Sequence, residues 1–312
     1  MNAHYSGGNL DSGVADVLRG AFGYVPPVSL MPLPRGMSAR RRAFALHDAK
    51  LPPAVLLIRY PREELYEALR AFHVLQALRE VSFPAAPHVF YMSWGYRDDE
   101  TLLMLEYVQG RSTEGHPVAF FARTGEDFAA TLAQLHRIPW PVMPELPYVS
   151  RMDILHDLGL RLQTLNAPPL DALFRRLWEW SADIEELPYC VVHGRYTLKS
   201  IVSRQTRVAA IYDWEWAVLA DARLDVGYTC AHLSAHRLQM ASAFMEGYMR
   251  EAGPLQEMRF WNALGGLRRL TELTEALHAF PSPRDPHWQQ ELSAHWGNVF
   301  AFTSEQVGMA LP

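Results

Sequence analysis

The first third of the chain alternates between short apolar runs, which predict strands, and segments with helical spacing. Residues 11–22 and 63–79 carry apolar side chains three and four positions apart, which predicts an amphipathic helix in each. Residues 54–60 form a continuous apolar run, typical of a buried strand. A proline-rich connector is predicted at 26–34. The other strands of a predicted five-stranded antiparallel sheet lie at 36–46 (a strand, a turn and a second strand), 89–94 and 101–107.

The pattern becomes helical after about residue 110. Helices are predicted at 128–137, at two places within 152–186, at 226–247 and at 261–277. Two short apolar strands, 190–192 and 209–212, each end in a polar cluster, and we expect them to pair as a hairpin. The sequence therefore predicts an α+β protein with a small antiparallel-sheet lobe at 1–110 and a larger helical lobe at 111–312.

The composition narrows the class of protein. The chain has 312 residues, long enough for two lobes, and its 49% hydrophobic and 20% charged residues are typical of globular proteins. A formal net charge of -5 gives no indication of a nucleic-acid or anionic-membrane partner. With 2 cysteines, neither a disulfide framework nor a cysteine-based zinc cluster is expected, and the apolar runs are too short to span a bilayer. Because no basic segment followed by an apolar one is evident at the N-terminus, we expect a cytoplasmic protein.

Four motifs in a fixed order carry a resemblance to a known family. They lie at 103–110, 132–139, 192–194 and 212–215, the last followed by 224–227. They resemble the hinge, the L-A-x-L-H-x-x-P helix end, the catalytic loop and the metal-binding loop of aminoglycoside and choline phosphotransferases. From about residue 25 to 280, this resemblance implies a two-lobed protein-kinase-like fold. It also implies ATP and Mg²⁺ as cofactors, and a small-molecule or anionic ligand in the cleft between the lobes.

The catalytic loop departs from the family pattern H-G-D-x-x-x-x-N. His193 and Arg195 occupy the catalytic positions, so that Arg195 replaces the expected aspartate, and Ser200 stands where the pattern has asparagine. The family aspartate orients or activates the substrate hydroxyl, whereas a guanidinium stays protonated and has no acceptor. Losing such a group costs about 10²–10⁴-fold in rate. The resemblance leaves Asp213 as the inherited metal ligand, with Ser200 a weaker one.

The resemblance also assigns candidate cofactor contacts. Arg59 matches the family position that grips the phosphates from the third strand. Glu67 is its expected helix partner, with Glu63 and Glu64 as alternatives. Gly36 marks the expected phosphate loop, since close approach of backbone N–H groups to phosphate favours glycine. Glu106 and Val108 lie in the hinge segment and are the expected cofactor contacts there.

Three functional hypotheses follow from these residues. The leading one is a pseudokinase with a binding or scaffolding role, which keeps affinity for a nucleotide or another anion and is compatible with a protein partner. The first alternative is an active ATP-dependent small-molecule phosphotransferase with a non-standard base such as Glu215. The second is a repurposed enzyme with an anionic substrate, in which Arg195 and Lys199 form a pocket for phosphate, carboxylate or sulfate.

Overall fold

The structure, a computed structural model, divides the chain into two compact units. The described residues are 10–33, 40–96, 100–113, 116–139, 145–279 and 286–309, together with the strand His4–Tyr5. The first unit consists of residues 1–116, 142–145 and 198–217, and the second of 117–141, 146–197 and 218–312. Among the helices in these described ranges, none has both the length and the apolar composition needed to cross a membrane.

An antiparallel sheet forms most of the first unit. Over the described residues it has six strands in the order β1-β2-β3-β4-β6-β5. The strands are β1 His4–Tyr5, β2 Val28–Met31, β3 Arg41–Leu46, β4 Ala54–Tyr60, β5 Val89–Tyr96 and β6 Glu100–Glu106. The predicted number of five strands is therefore wrong. The apolar run of β2 lies inside the predicted connector and pairs with β3, because Pro27 and Pro32 flank the run and do not interrupt its hydrogen bonding.

The two helices predicted for this unit are both present. The helix α1 (Ser12–Phe22) begins where the side chain of Asp11 accepts a backbone hydrogen bond. Its apolar stripe packs in one hydrophobic cluster with Leu57 of β4 and Leu102 of β6. The helix α2 (Leu65–Glu80) packs against β4, β5 and β6. The helical spacing along the sequence is therefore confirmed as the signal for both.

A hairpin from later in the chain belongs to the first unit. Strand β8 (Ile201–Arg204) pairs with β9 (Arg207–Ile211), and the 3₁₀ turn Trp214–Trp216 follows. The backbone N–H of Ile211 donates to the carbonyl of Ala85 at 2.8 Å, which ties the hairpin to the loop between α2 and β5. The residues after β9, where Asp213 lies, are thus held at a fixed place in this unit.

The second unit is mainly helical. Its helices are α3 Pro117–His136, α4 Arg151–Leu165, α5 Pro168–Ser181, α6 Arg223–Ser234, α7 Leu238–Ala252, α8 Met258–Ala279 and α9 Pro286–Val307. Strand β7 (Cys190–Val192) pairs with β10 (Val218–Ala220). The predicted hairpin between 190–192 and 209–212 is therefore wrong. Strand β9 pairs with β8 across the two-residue turn at 205–206, and closing so short a loop costs little entropy.

Helices α6 and α8 approach each other at two glycines. A Cβ atom on Gly227 of α6 would collide with the backbone carbonyl of Trp261, and one on Gly265 of α8 would collide with the backbone of Gly227. Backbone contact of this kind requires residues without a side chain. The contact matters for the candidate site because α6 carries Asp225 and Tyr228, and α8 carries Arg268, Arg269 and Glu272.

Candidate functional site

The catalytic loop of the second unit is held by a buried carboxylate. Asp225 has no exposed surface and accepts hydrogen bonds from the backbone N–H groups of His193 and Gly194, at 2.7 and 2.8 Å. The Nε2 atom of His136 lies 3.2 Å from the same carboxylate. Because a buried carboxylate that loses such partners is destabilising, this arrangement fixes the loop backbone. Asp225 is thus a brace for the residues that precede Arg195.

His193 makes its described contacts inside the loop. Its side chain is completely buried, and its Nδ1 accepts from the backbone N–H of Arg195 at 3.3 Å. Its ring lies edge-on to Tyr196, with 5.8 Å between the ring centroids. These contacts shape the turn that presents Arg195.

The guanidinium of Arg195 is anchored on helices α6 and α8. Its Nη2 lies 3.4 Å from Oε2 of Glu272, and its Nε donates to the hydroxyl of Tyr228 at 3.4 Å. The same hydroxyl donates to Glu272 at 2.8 Å. Burial alone would lower the pKa of Arg195, but the charge of Glu272 and the contact with Tyr228 raise it overall. The residue at the expected base position is therefore a permanent cation, with 38% of its side chain exposed.

Two more arginines surround Glu272. Arg269 donates to its carboxylate at 3.0 Å, and Arg268 donates to the carbonyl of Gly194 at 3.2 Å. The guanidinium of Arg268 also lies over the Tyr228 ring, 4.8 Å from its centroid. Burial alone would raise the pKa of Glu272, but the three arginines lower it overall. Three cations thus face one carboxylate, which leaves a local excess of two positive charges.

The expected metal ligand lies in the first unit and is engaged by an arginine. Asp213 follows β9 in the left-handed conformation, with φ 70°, and its carboxylate forms an ion pair with Arg41. Arg41 is 8% exposed and belongs to β3, whereas the sequence suggested a turn at or near this position. Ser200 is buried at 1% exposure. Among the described residues, no group of three or more His, Cys, Asp or Glu could hold a metal ion. The Asp213 carboxylate, which would be the charged ligand of Mg²⁺, is thus already paired with Arg41.

The predicted phosphate-binding cation has other partners. Arg59 pairs with Asp11 at 2.5 Å and with Glu100 at 3.3 Å, not with the predicted Glu67. It stands opposite Leu102, on the face of the sheet that α1 covers. Glu67 on α2 instead lies near Arg70. Burial lowers the pKa of Arg70, and the charge of Glu67 partly offsets that effect. Whether Arg59 binds phosphate stays a prediction. Gly36, expected in the phosphate loop, lies outside the described residues.

Lys199 and Arg195 fall in different units. Lys199 is exposed and belongs to a 3₁₀ turn, Leu198–Ser200, at the start of the hairpin segment of the first unit. Arg195 belongs to the second unit. A shared anion pocket of these two side chains therefore stays a prediction. The second unit does bring together three cationic side chains, Arg195, Arg268 and Arg269. The last two were missed because charges at 268 and 269 resemble an exposed helix face.

The hinge groups of the first unit are bridged by a tyrosine. The backbone N–H of Val108 donates to the Tyr212 hydroxyl at 3.1 Å, and that hydroxyl donates to the carbonyl of Glu106 at 3.2 Å. Tyr212 is 2% exposed, and burial raises its pKa to about 12, so the phenol keeps its proton near neutral pH. Sequence reasoning missed this contact. The available signal was an aromatic hydroxyl immediately before Asp213.

The sheet-containing unit, the helical unit and the braced loop define a kinase-like phosphotransferase fold. The family model of the phosphotransferase enzyme family matches residues 29–264. The chain belongs to this family, as its motifs predicted, and the α+β fold is confirmed. Among curated proteins, no sequence match is found.

Solved structures give the same fold at low sequence identity. A proposed aminoglycoside phosphotransferase from Ralstonia eutropha JMP134 has 17% identity and a TM-score of 0.69. The match covers 96% of this chain and 98% of that protein. A thermostable mutant of aminoglycoside phosphotransferase APH(4)-Ia, in a ternary complex with AMP-PNP and hygromycin B, has 13% identity and a TM-score of 0.68, covering 96% and 100%. Macrolide 2'-phosphotransferase MphH from Brachybacterium faecium has 15% identity and a TM-score of 0.59, covering 91% and 98%. At these identities the likeness establishes the fold alone.

Proposed function

We propose that this member of the phosphotransferase family is a pseudokinase, a binding protein that does not efficiently transfer phosphate. The observation that carries the proposal is the position of Arg195, whose guanidinium is anchored by Glu272 and Tyr228 where the family pattern has its aspartate. A side chain held in this way has no acceptor for the proton of a substrate hydroxyl. Its two anchors also oppose a swing that would let another group take its place.

The ion pair between Arg41 and Asp213 supports the same proposal. Phosphoryl transfer depends on a metal ion that neutralises charge on the phosphates. A buried guanidinium on the expected metal carboxylate already neutralises that group. An arginine thus replaces the aspartate at the first motif position, and another arginine neutralises the aspartate at the second.

The class of ligand that suits the second unit is a small anion with a phosphate or carboxylate group. Arg195, Arg268 and Arg269 carry three charges against the single charge of Glu272. The neighbouring Arg161 pairs with Glu275 at 2.8 Å and with Asp157 at 3.6 Å, so this group carries one negative charge and reduces the excess to one positive charge. Guanidinium groups bind carboxylate and phosphate through paired hydrogen bonds, and Arg195 is exposed enough to offer them.

Thermal unfolding with different ligands tests this proposal. A ligand that binds only the folded protein at 100 times its Kd adds about 2.7 kcal/mol of stability. We expect inorganic phosphate to raise the Tm of the wild type and to lose this effect in Arg195→Ala. The exposed Arg176 provides a control, since Arg176→Ala should keep the response. Glu272→Gln should respond more strongly, because it removes the carboxylate that the three arginines face. Equal responses in all four proteins would overturn the anion site.

Phosphoryl transfer itself is measured with radiolabelled ATP and Mg²⁺ over a panel of aminoglycosides and macrolides. We expect no turnover above that of a protein-free control. Magnesium-dependent transfer by the wild type that survives Arg195→Ala would show that another residue serves as the base, and the pseudokinase proposal would be wrong.

A further inference from the structure

We propose that Tyr212 closes the hinge of the first unit to adenine, so that its side chain occupies the place where the base of a nucleotide would bind. This inference deepens the proposed function, and it rests on that proposal only for the expectation that ATP is not turned over. The contacts of Tyr212 carry it independently of Arg195.

The hinge offers one acceptor and one donor on the same edge. Glu106 ends strand β6 and Val108 follows two residues later. In an extended segment, the carbonyl of one residue and the N–H of the residue two positions on point to the same side. Adenine presents an amino donor next to a ring-nitrogen acceptor, which complements such a pair. The hinge backbone is thus chemically suited to this base.

The Tyr212 hydroxyl uses both of these groups at once. It accepts from the N–H of Val108 at 3.1 Å and donates to the carbonyl of Glu106 at 3.2 Å. A backbone N–H has a single proton to donate, so a base that bound Val108 would have to displace the phenol. The ring is almost completely buried, and a purine cannot lie in the same space. The Tyr212 side chain and a purine base therefore exclude each other at the hinge.

Several contacts hold Tyr212 in this position. Its backbone N–H donates to the carbonyl of Ser200 at 2.7 Å, and it follows directly on β9. The guanidinium of Arg41 lies over its ring, 5.9 Å from the centroid, while the same guanidinium pairs with Asp213. Arg41 thus holds both Tyr212, which reaches the hinge, and Asp213, which lies at the expected metal position. The closed hinge and the neutralised carboxylate form a single arrangement.

The direct test compares adenosine with inorganic triphosphate as probes, by calorimetric titration of the full chain. Adenosine isolates the hinge, whereas triphosphate reports on phosphate binding elsewhere. For the wild type we expect no measurable adenosine binding. For Tyr212→Ile, which removes the phenol and leaves an apolar wall, we expect adenosine to bind at least tenfold more tightly, with triphosphate binding unchanged. Tyr107→Phe, at the residue between the two hinge groups, is the control and should behave as the wild type.

Adenosine binding by the wild type that Tyr212→Ile does not strengthen would overturn the inference, and so would a folded Tyr212→Ile protein that still binds no adenosine. That result would leave the proposed loss of transfer untouched, because transfer is measured separately. Conversely, the wild type could turn over ATP while adenosine binding is seen only in Tyr212→Ile. That result would overturn the proposed function and support the closed hinge.

Hydrogen exchange of the Val108 amide provides a second measurement for the case in which Tyr212→Ile does not fold. Tyr212→Phe keeps the ring and removes only the hydroxyl, so the change is small. We expect exchange at Val108 to become at least tenfold faster in Tyr212→Phe, with exchange at Leu103 in the centre of β6 unchanged. Unaltered exchange at Val108 in a folded Tyr212→Phe protein would mean that the hydroxyl does not occupy this amide.

Discussion

Arg41 and Asp213 form a partly buried ion pair across 172 residues of the chain. The side chain of Arg41 is 7% exposed and that of Asp213 is 24% exposed. Strand β3 provides the arginine, and the turn after β9 provides the carboxylate. The pair therefore joins the hairpin segment to the sheet within the first unit, and it places a positive charge where the family pattern expects a metal ion.

Removing the arginine should destabilise the protein and free the carboxylate. Arg41→Gln is expected to lower the free energy of unfolding by about 2 kcal/mol, less than the roughly 3–5 kcal/mol of a fully buried pair because Asp213 is partly exposed. Urea unfolding measures the loss. The exposed neighbour Arg42 provides the control, since Arg42→Gln should cost under about 0.5 kcal/mol. Mg²⁺ should stabilise Arg41→Gln but not the wild type; similar losses in both variants would contradict the role given to this pair.

The stability contributed by Glu272 should depend on pH. Its pKa is lowered in the folded protein, so its contribution is present above the unfolded pKa, which is roughly 4.3, and is lost as the pH falls through the lower folded value. Glu272→Gln should therefore be less stable than the wild type by about 2 kcal/mol at pH 7, because three arginines lose their shared carboxylate. The difference between the two proteins should shrink as the pH falls below the unfolded pKa and should disappear only below the folded one.

Thermal unfolding between pH 7 and pH 3 checks this pH dependence. Glu275→Gln is the matched control on the same helix, since Glu275 forms a single ion pair with Arg161 and is 41% exposed. Its effect should be under about 1 kcal/mol. A difference between wild type and Glu272→Gln that stays constant over the whole range would show that the charge of Glu272 is not what stabilises the cluster.

The carboxylate that braces the catalytic loop gives a further prediction. Asp225→Asn replaces one acceptor oxygen with a donor that faces the N–H groups of His193 and Gly194. We expect a loss of about 3 kcal/mol in urea unfolding, since buried donors are left without an acceptor. Asp183→Asn, at an exposed position, should be close to neutral. If Asp225→Asn is also neutral, the loop is held by other contacts.

Local patterns of the sequence were sufficient for most elements of the fold. The stripe of α1 and the apolar run of β4 each specify an element without help from distant residues. The face on which Arg59 lies could not be predicted. All five residues before it in β4 are apolar, so the period of two that distinguishes the faces of a strand is absent. Its partner Asp11 comes from a helix cap that the sequence places far away.

The site was predicted only where a motif marked it. The positions of Arg195 and Asp213 followed from the family pattern, but their partners did not. Glu272 lies on a helix whose charged residues look like a solvated face, and Arg41 follows a stretch that suggests a turn. Ion pairs between such distant residues depend on how strands and helices pack, and a single sequence carries no record of that packing. Tyr212 is a similar case, since its partners are backbone groups.

The contact between α6 and α8 can be tested by replacing glycine with alanine at two positions. The two substitutions should change the free energy of unfolding in opposite directions. Gly227→Ala places a methyl group against the backbone of α8, and we expect a loss of about 3 kcal/mol or more, because backbone cannot yield as a side chain does. Gly297 of α9 is exposed, and no atom lies within 4 Å of the place that a methyl group would take there, so Gly297→Ala should add about 0.5–1 kcal/mol. Urea unfolding of both proteins decides the matter. The contact also positions Tyr228 against Glu272. Gly227→Ala should therefore weaken the stabilisation by phosphate, whereas Gly297→Ala should preserve it. If Gly227→Ala is tolerated and the phosphate response is unchanged, α6 and α8 do not touch as described.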